Sequence, residues 1–170
     1  PFRLAECAER IRHGASRLYM AYLMRKMRDS VRRKQDQRGL NLDLPPLGSL
    51  RDFFDFDDKV TAPLHGYHGV DDYYARASCR GYLAGIRRQT LILHAIDDPF
   101  MYPTTVPHAD ELSAAVRLEL SEHGGHVGFV DRPFAMRRTG WLERRILDWL
   151  DTDLPACVEP AGLPEHGRID

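Results

Sequence analysis

The sequence predicts an α/β fold in which parallel strands are flanked by helices and a helical, cap-like segment comes first. Two observations carry this. Thr90-Leu91-Ile92-Leu93-His94-Ala95 is short, continuous and apolar, as in a strand covered on both faces of a parallel sheet, whereas Val116-Arg117-Leu118-Glu119-Leu120 alternates like a strand nearer an edge. The segment between them has the length of a parallel crossover, with Pro107 to Ala115 helix-compatible. These features divide the chain into a helical, cap-like segment (1–88), a strand-helix-strand-helix part of the core (89–151) and a flexible tail (152–170).

The elements follow in order. Leu4, Ala8, Ile11 and Ala15 share one helical face, and Tyr19, Leu23 and Met27 continue an apolar stripe at steps of four, with Gly14 marking a bend between two helices. Residues 25–38 form a basic stretch, Arg25, Lys26, Arg28, Arg32, Arg33, Lys34 and Arg38 against Asp29 and Asp36, which ends at Gly39. Its plainest role is a solvated helix face; the sharper one is an anionic surface contact, since no interleaved aromatic platform for bases accompanies it. Residues 40–65 read as a connector interrupted by Pro45-Pro46, Gly48 and Pro63, with the Phe rings of Arg51 to Asp58 tethering a solvated loop. Val70 to Ser78 reads as a short helix whose acidic first turn suits the helix dipole. Leu142, Ile146, Trp149 and Leu150 mark a closing amphipathic helix.

Composition sets further bounds. The chain has 170 residues, 43% apolar and 29% charged, which describes one ordinary globular domain. Lys+Arg 24 against Asp+Glu 25 provides no global field for nucleic acid. Cys7, Cys79 and Cys157 are widely spaced and lack a C-x-x-C motif, as expected of free thiols in a reducing compartment. No apolar run approaches the roughly 18–20 residues of a membrane helix, and no charged-then-apolar leader precedes the first helix, so a cytoplasmic location is expected. The chain begins at Pro1 rather than Met, so any upstream leader would lie outside it.

The chemistry concentrates in two loops that follow the strands, Ile96-Asp97-Asp98-Pro99-Phe100 and His123-Gly124-Gly125-His126-Val127-Gly128-Phe129. A serine hydroxyl becomes a nucleophile when a neutral imidazole takes its proton, and the imidazole needs a buried carboxylate to hold its tautomer. His126 fits the base and Asp98 the acid, with Asp97 the competing carboxylate. Gly124-Gly125 lets the backbone place the ring. A zinc site built from His65, His68, Asp71 and Asp72, or from His123 and His126, is a weaker alternative, because a lone H-x-x-H lacks the glutamate of a zincin helix.

Four phrases, Arg51-Asp52-Phe53-Phe54-Asp55, Asp72 to Ser78, Leu91 to Phe100 and Gly124 to Phe129, together resemble the YheT-like branch of the α/β-hydrolases, related to the abhydrolase-domain esterases. The resemblance runs over about residues 1–150. It implies the C-terminal portion of an α/β-hydrolase fold with a helical insertion near the site, and hydrolysis of short-chain or acyl-lipid esters without metal or organic cofactor. It carries over Asp98 as the acid and His126 as the base, Asp98 being preferred because the family's acid sits three residues after the small residue that closes the strand, here Ala95.

The nucleophile is what departs from the pattern. The family's serine precedes its acid on a G-x-S-x-G turn between strand and helix. Ser16, Ser30, Ser49 and Ser78 precede Asp98, and none stands in that pattern. The expectation is that Pro1 lies just after a sheet strand, that the nucleophile and oxyanion-hole segments lie upstream, and that the chain alone is inactive with an unpaired strand edge. A non-catalytic module binding an anionic surface through residues 25–38 is the alternative.

Overall fold

The computed structural model describes residues 1–38, 44–129 and 140–152. Helices α1 (Leu4–Arg10) and α2 (Ser16–Arg38) are joined by a turn in which Gly14 takes φ +61°, a left-handed conformation that glycine adopts without steric cost. The apolar residues of α2 divide between two faces. Met24 and Val31, seven positions apart, are buried with Leu50, Phe56 and Val60, and this cluster is the hydrophobic core of the helical segment. Tyr19 and Leu23 turn instead toward a cleft shared with α1, and Met27 lines that cleft while also packing on the core cluster.

The connector is more regular than expected. Residues 53–64 form one helical run: α3 (Phe53–Phe56), a π-helical turn (Asp57–Thr61) and α4 (Ala62–Leu64). Asp52 starts it by accepting the Asp55 N–H at 3.0 Å, and Asp55 reaches back to the Arg51 N–H at 2.9 Å. The acids that suggested a solvated loop are therefore helix caps. Pro63 follows the π turn, where a wider turn relieves the clash between a proline ring and the carbonyl four residues back. Helix α5 (Val70–Ala77) has the expected acidic start, and the Val70 N–H donates to Asp58 at 3.1 Å.

Strands β1 (Thr90–Ala95) and β2 (Val116–Ser121) pair in parallel, Thr90 opposite Val116 through Ala95 opposite Ser121. Among the described residues the sheet has these two strands. Consequently β1 is only half-buried over Thr90–Leu93 and becomes buried at His94 and Ala95, short of the coverage on both faces that its composition predicts.

The crossover does not form the α-helix that Pro107–Ala115 allows. It holds 3-10 turns at Pro103–Thr105 and Ala109–Glu111. Arg80 accounts for the difference: its guanidinium forks onto the Glu111 carboxylate at 2.7 and 2.6 Å and donates to the carbonyls of Thr104 and Thr105. A bidentate pair with two further carbonyl acceptors outweighs a weak local preference for helix.

Helix α6 (Trp141–Thr152) closes the described chain and is tied to β2 by Arg145 Nε donating to Glu119 at 2.7 Å. Of the expected tail (152–170), Thr152 ends α6, and the rest, with Cys157, lies outside the described residues.

Candidate active site

Both strand-end loops emerge on the same side of the parallel pair, since β1 and β2 run in register and each is followed by its loop. The turn after β1 closes with the Asp98 N–H donating to the Ala95 carbonyl at 3.3 Å. It leaves the Asp98 side chain 2% exposed. One carboxylate oxygen accepts the Phe100 N–H at 2.8 Å, and the other lies 2.9 Å from Nδ1 of His126. Against a carboxylate oxygen that nitrogen is the donor, so the pair holds the Nδ1–H tautomer and leaves Nε2 without a hydrogen.

Asp97 does something different. Its Oδ1 accepts the N–H groups of Gly124 and Gly125 at 3.0 and 2.8 Å, lacing the loop after β1 to the loop that carries His126. Gly124 is required there by close approach: a Cβ would stand 2.7 Å from the Phe129 ring and 2.9 Å from the Ala95 Cβ. Gly125 is required by φ +57°. Phe129 is buried beneath the loop and stacks on Trp141 at 5.4 Å, which anchors the loop to α6.

His126 is half-exposed and opens on a cleft of about 340 Å³. Phe100 meets its ring edge-on at 4.9 Å, and Tyr19 stacks on Phe100 at 5.0 Å. The other walls are apolar, from α1 and from Leu23, Met27 and Phe53, except where Asp57 and Tyr74 face in. Asp57 is buried in the π turn and accepts the hydroxyls of Thr61 at 2.6 Å and Tyr74 at 2.8 Å. Burial raises its carboxyl above the ordinary range, the two hydrogen bonds opposing; burial and then the Asp57 charge raise the Tyr74 phenol. Sequence reasoning missed this pair because residues 51–58 read as loop, although the Asp52-x-x-Asp55 spacing carried a helix-start signal.

No serine lines the cleft among the described residues. Ser16 is buried and donates to the Pro99 carbonyl at 3.3 Å, Ser49 donates to Pro46, and Ser78 donates to the Tyr74 carbonyl while accepting the Leu4 N–H. Cys7 does line the cleft, but burial pushes its thiol up, Asp98 adds to the rise, and no hydrogen bond joins it to His126. A thiol raised by burial is the weaker nucleophile.

Of the residues weighed for zinc, Asp72 is committed to the His68 N–H and to Arg76, and among the described residues no three His, Cys, Asp or Glu side chains converge on a metal position.

The sequence that carries this arrangement is similar to sequences of known proteins. The chain is 40% identical over 158 residues to an Escherichia coli protein named "Putative esterase YheT", covering 92% of this chain and 46% of that one. Over most of its length the chain matches the YheT-like branch of the α/β-hydrolases. It is also 30% identical to the mouse protein named phospholipase ABHD3 and 28% identical to the human protein named monoacylglycerol lipase ABHD2, covering 67% and 68% of this chain and 28% of each relative. It thus spans about half the length of the E. coli relative and less of the others. No family model matches it, and no solved structure does. The parallel strands and flanking helices are part of an α/β-hydrolase fold, and among the described residues no helix is long and apolar enough to cross a membrane.

Proposed function

We propose that Asp98 and His126 are the acid and base of a Ser-Asp-His charge relay in a carboxylic-ester hydrolase, and that the serine comes from a segment outside these 170 residues. The observation that carries the reading is the buried Asp98 carboxylate 2.9 Å from Nδ1 of a histidine whose ring opens on an apolar cleft. In that arrangement Nε2 takes the serine proton as the hydroxyl attacks the acyl carbonyl. Asp98 stabilises the imidazolium without accepting the proton, and Nε2 then delivers it to the leaving alkoxide. Water, activated by the same nitrogen, releases the acid. The apolar cleft suits an acyl chain, and the relatives named as esterase, lipase and phospholipase are in keeping with an ester or acyl-lipid substrate.

The test uses the natural protein that contains this chain and an activated aryl ester. His126→Ala and Asp98→Asn each lower kcat by about four orders of magnitude with KM little changed. Turnover retained by either variant would refute the assignment. The 170 residues by themselves give no turnover; activity there that disappears in His126→Ala would place the nucleophile within the chain and overturn the second half of the proposal.

A further inference from the structure

The charge relay leaves the outer face of α2 without a role. With about 3.6 residues per turn, the sector beside the cleft-facing stripe and opposite Met24 and Val31 carries Leu18, Tyr22, Arg25, Lys26, Arg32 and Arg33. Leu18 is 80% exposed and Tyr22 48% exposed, and the four basic side chains are exposed as well. The carboxylates on this face are Asp29, which pairs with Arg32 at 3.1 Å, and Asp36, so basic groups are in excess. Arg25 and Lys26 both lie over the Tyr22 ring, 5.9 and 5.7 Å from its centre. A ring faced by its own helix's cations is a poor stacking platform for a nucleic-acid base, and no other exposed aromatic continues the row toward the basic end.

Apolar and aromatic groups at one end of an exposed helix face, followed by two turns of Arg and Lys, are the composition of a helix lying in a lipid–water interface. The apolar group enters the boundary, tyrosine sits at headgroup level, and long basic side chains reach anionic headgroups. Position adds to composition. Tyr19, next to Leu18, stacks on Phe100, and Phe100 meets His126, so this face adjoins the side of the cleft where the histidine lies. We infer that the outer face of α2 docks on an anionic lipid surface, with Leu18 and Tyr22 in the headgroup layer and Arg25, Lys26, Arg32 and Arg33 against its charges, turning the His126 cleft toward the membrane.

The experiment is vesicle co-sedimentation of the natural protein containing this chain, with phosphatidylcholine–phosphatidylserine vesicles against phosphatidylcholine alone. Binding is expected to the anionic vesicles and to weaken steeply with added salt. Each basic residue near the surface contributes about fivefold to partitioning, so changing all four to Gln lowers it by roughly two to three orders of magnitude. Leu18→Asp lowers it independently, and both variants keep the parent's turnover of a soluble short-chain ester. Maleimide labels a Leu18→Cys variant readily in solution and slowly when anionic vesicles are present.

Absence of binding, binding insensitive to salt or to these substitutions, or single-stranded nucleic acid binding in place of vesicles would overturn the inference. So would a Leu18→Cys thiol already shielded from maleimide without vesicles, which would mean that another part of the protein covers this face. Vesicle association is read without turnover, so its failure leaves the charge relay standing, and loss of turnover in His126→Ala leaves the docking face standing.

Discussion

Adjacent carboxylates with the same chemistry have different work because one turn points them in different directions. The Asp98 side chain is buried and meets the His126 ring, whereas Asp97 is half-exposed and holds two glycine N–H groups of the facing loop. Removing either should therefore be distinguishable by magnitude. Asp97→Ala frees two exposed N–H groups that water can satisfy, so the cost in stability is about 1 kcal/mol. The loosened loop lowers turnover by about one to two orders of magnitude, well short of the roughly four expected of Asp98→Asn. Equal losses in kcat for the two variants, measured side by side on one ester, would contradict this division of labour. Asp97 and Asp98 were both visible in the sequence as acids after a strand. Which of them meets the imidazole depends on where a loop 28 residues further on returns.

At the scale of elements, buried polar contacts decide what local preference leaves open. The run 53–64 is helical because Asp52 and Asp55 cap its start and because its π turn presents Asp57 to Thr61 and to Tyr74 of α5. Tyr74→Phe removes a buried donor from that carboxyl while keeping the ring. The expected loss is about 1.5–3 kcal/mol, seen as a lower denaturant midpoint with an unchanged slope. An unchanged midpoint would mean that the hydroxyl adds nothing to the junction of α3 and α5. The crossover shows the same logic in reverse: Arg80 pulls Glu111 out of a segment whose composition allowed a helix. Helices α1, α2, α5 and α6 were legible because their apolar spacing is local. The helix at 53–64 offered only its Asp52-x-x-Asp55 start locally, and the partners that complete it and the irregular crossover lie 17 and 31 residues away.

Across the whole molecule, titration links these contacts to acid stability. Burial lowers the folded-state value of His94 below its ordinary 6.5, and Arg80 followed by the His108 N–H lowers Glu111 to about 2 from 4.5. A histidine that is neutral when folded and protonates more readily when unfolded contributes stability above pH 6.5 and loses it as pH falls below that value. The Glu111 contribution is present above about 4.5 and is lost as pH falls toward 2. Asp57, raised by burial, has the opposite sign, its contribution fading as pH rises through its folded value. Acidification should therefore lower the Tm in two stages, the first beginning near pH 6.5. His94→Gln should flatten that first stage and leave the second; an unchanged slope between pH 6.5 and 5 in the variant would assign it to another group.

The sequence by itself determined the parallel α/β character, the places of β1, β2 and four helices, and the loops in which an acid and a histidine stand, because these depend on periodicity and on residues close along the chain. Tertiary structure brought Asp98, the acid the resemblance favoured, against His126, and it alone decided that one face of α2 is core while Tyr19, Leu23 and Met27 line a cleft, and that Asp57 and Tyr74 are buried together in its wall. Each of those is a contact between distant segments, and its energy comes from burial and hydrogen bonding that no local pattern records.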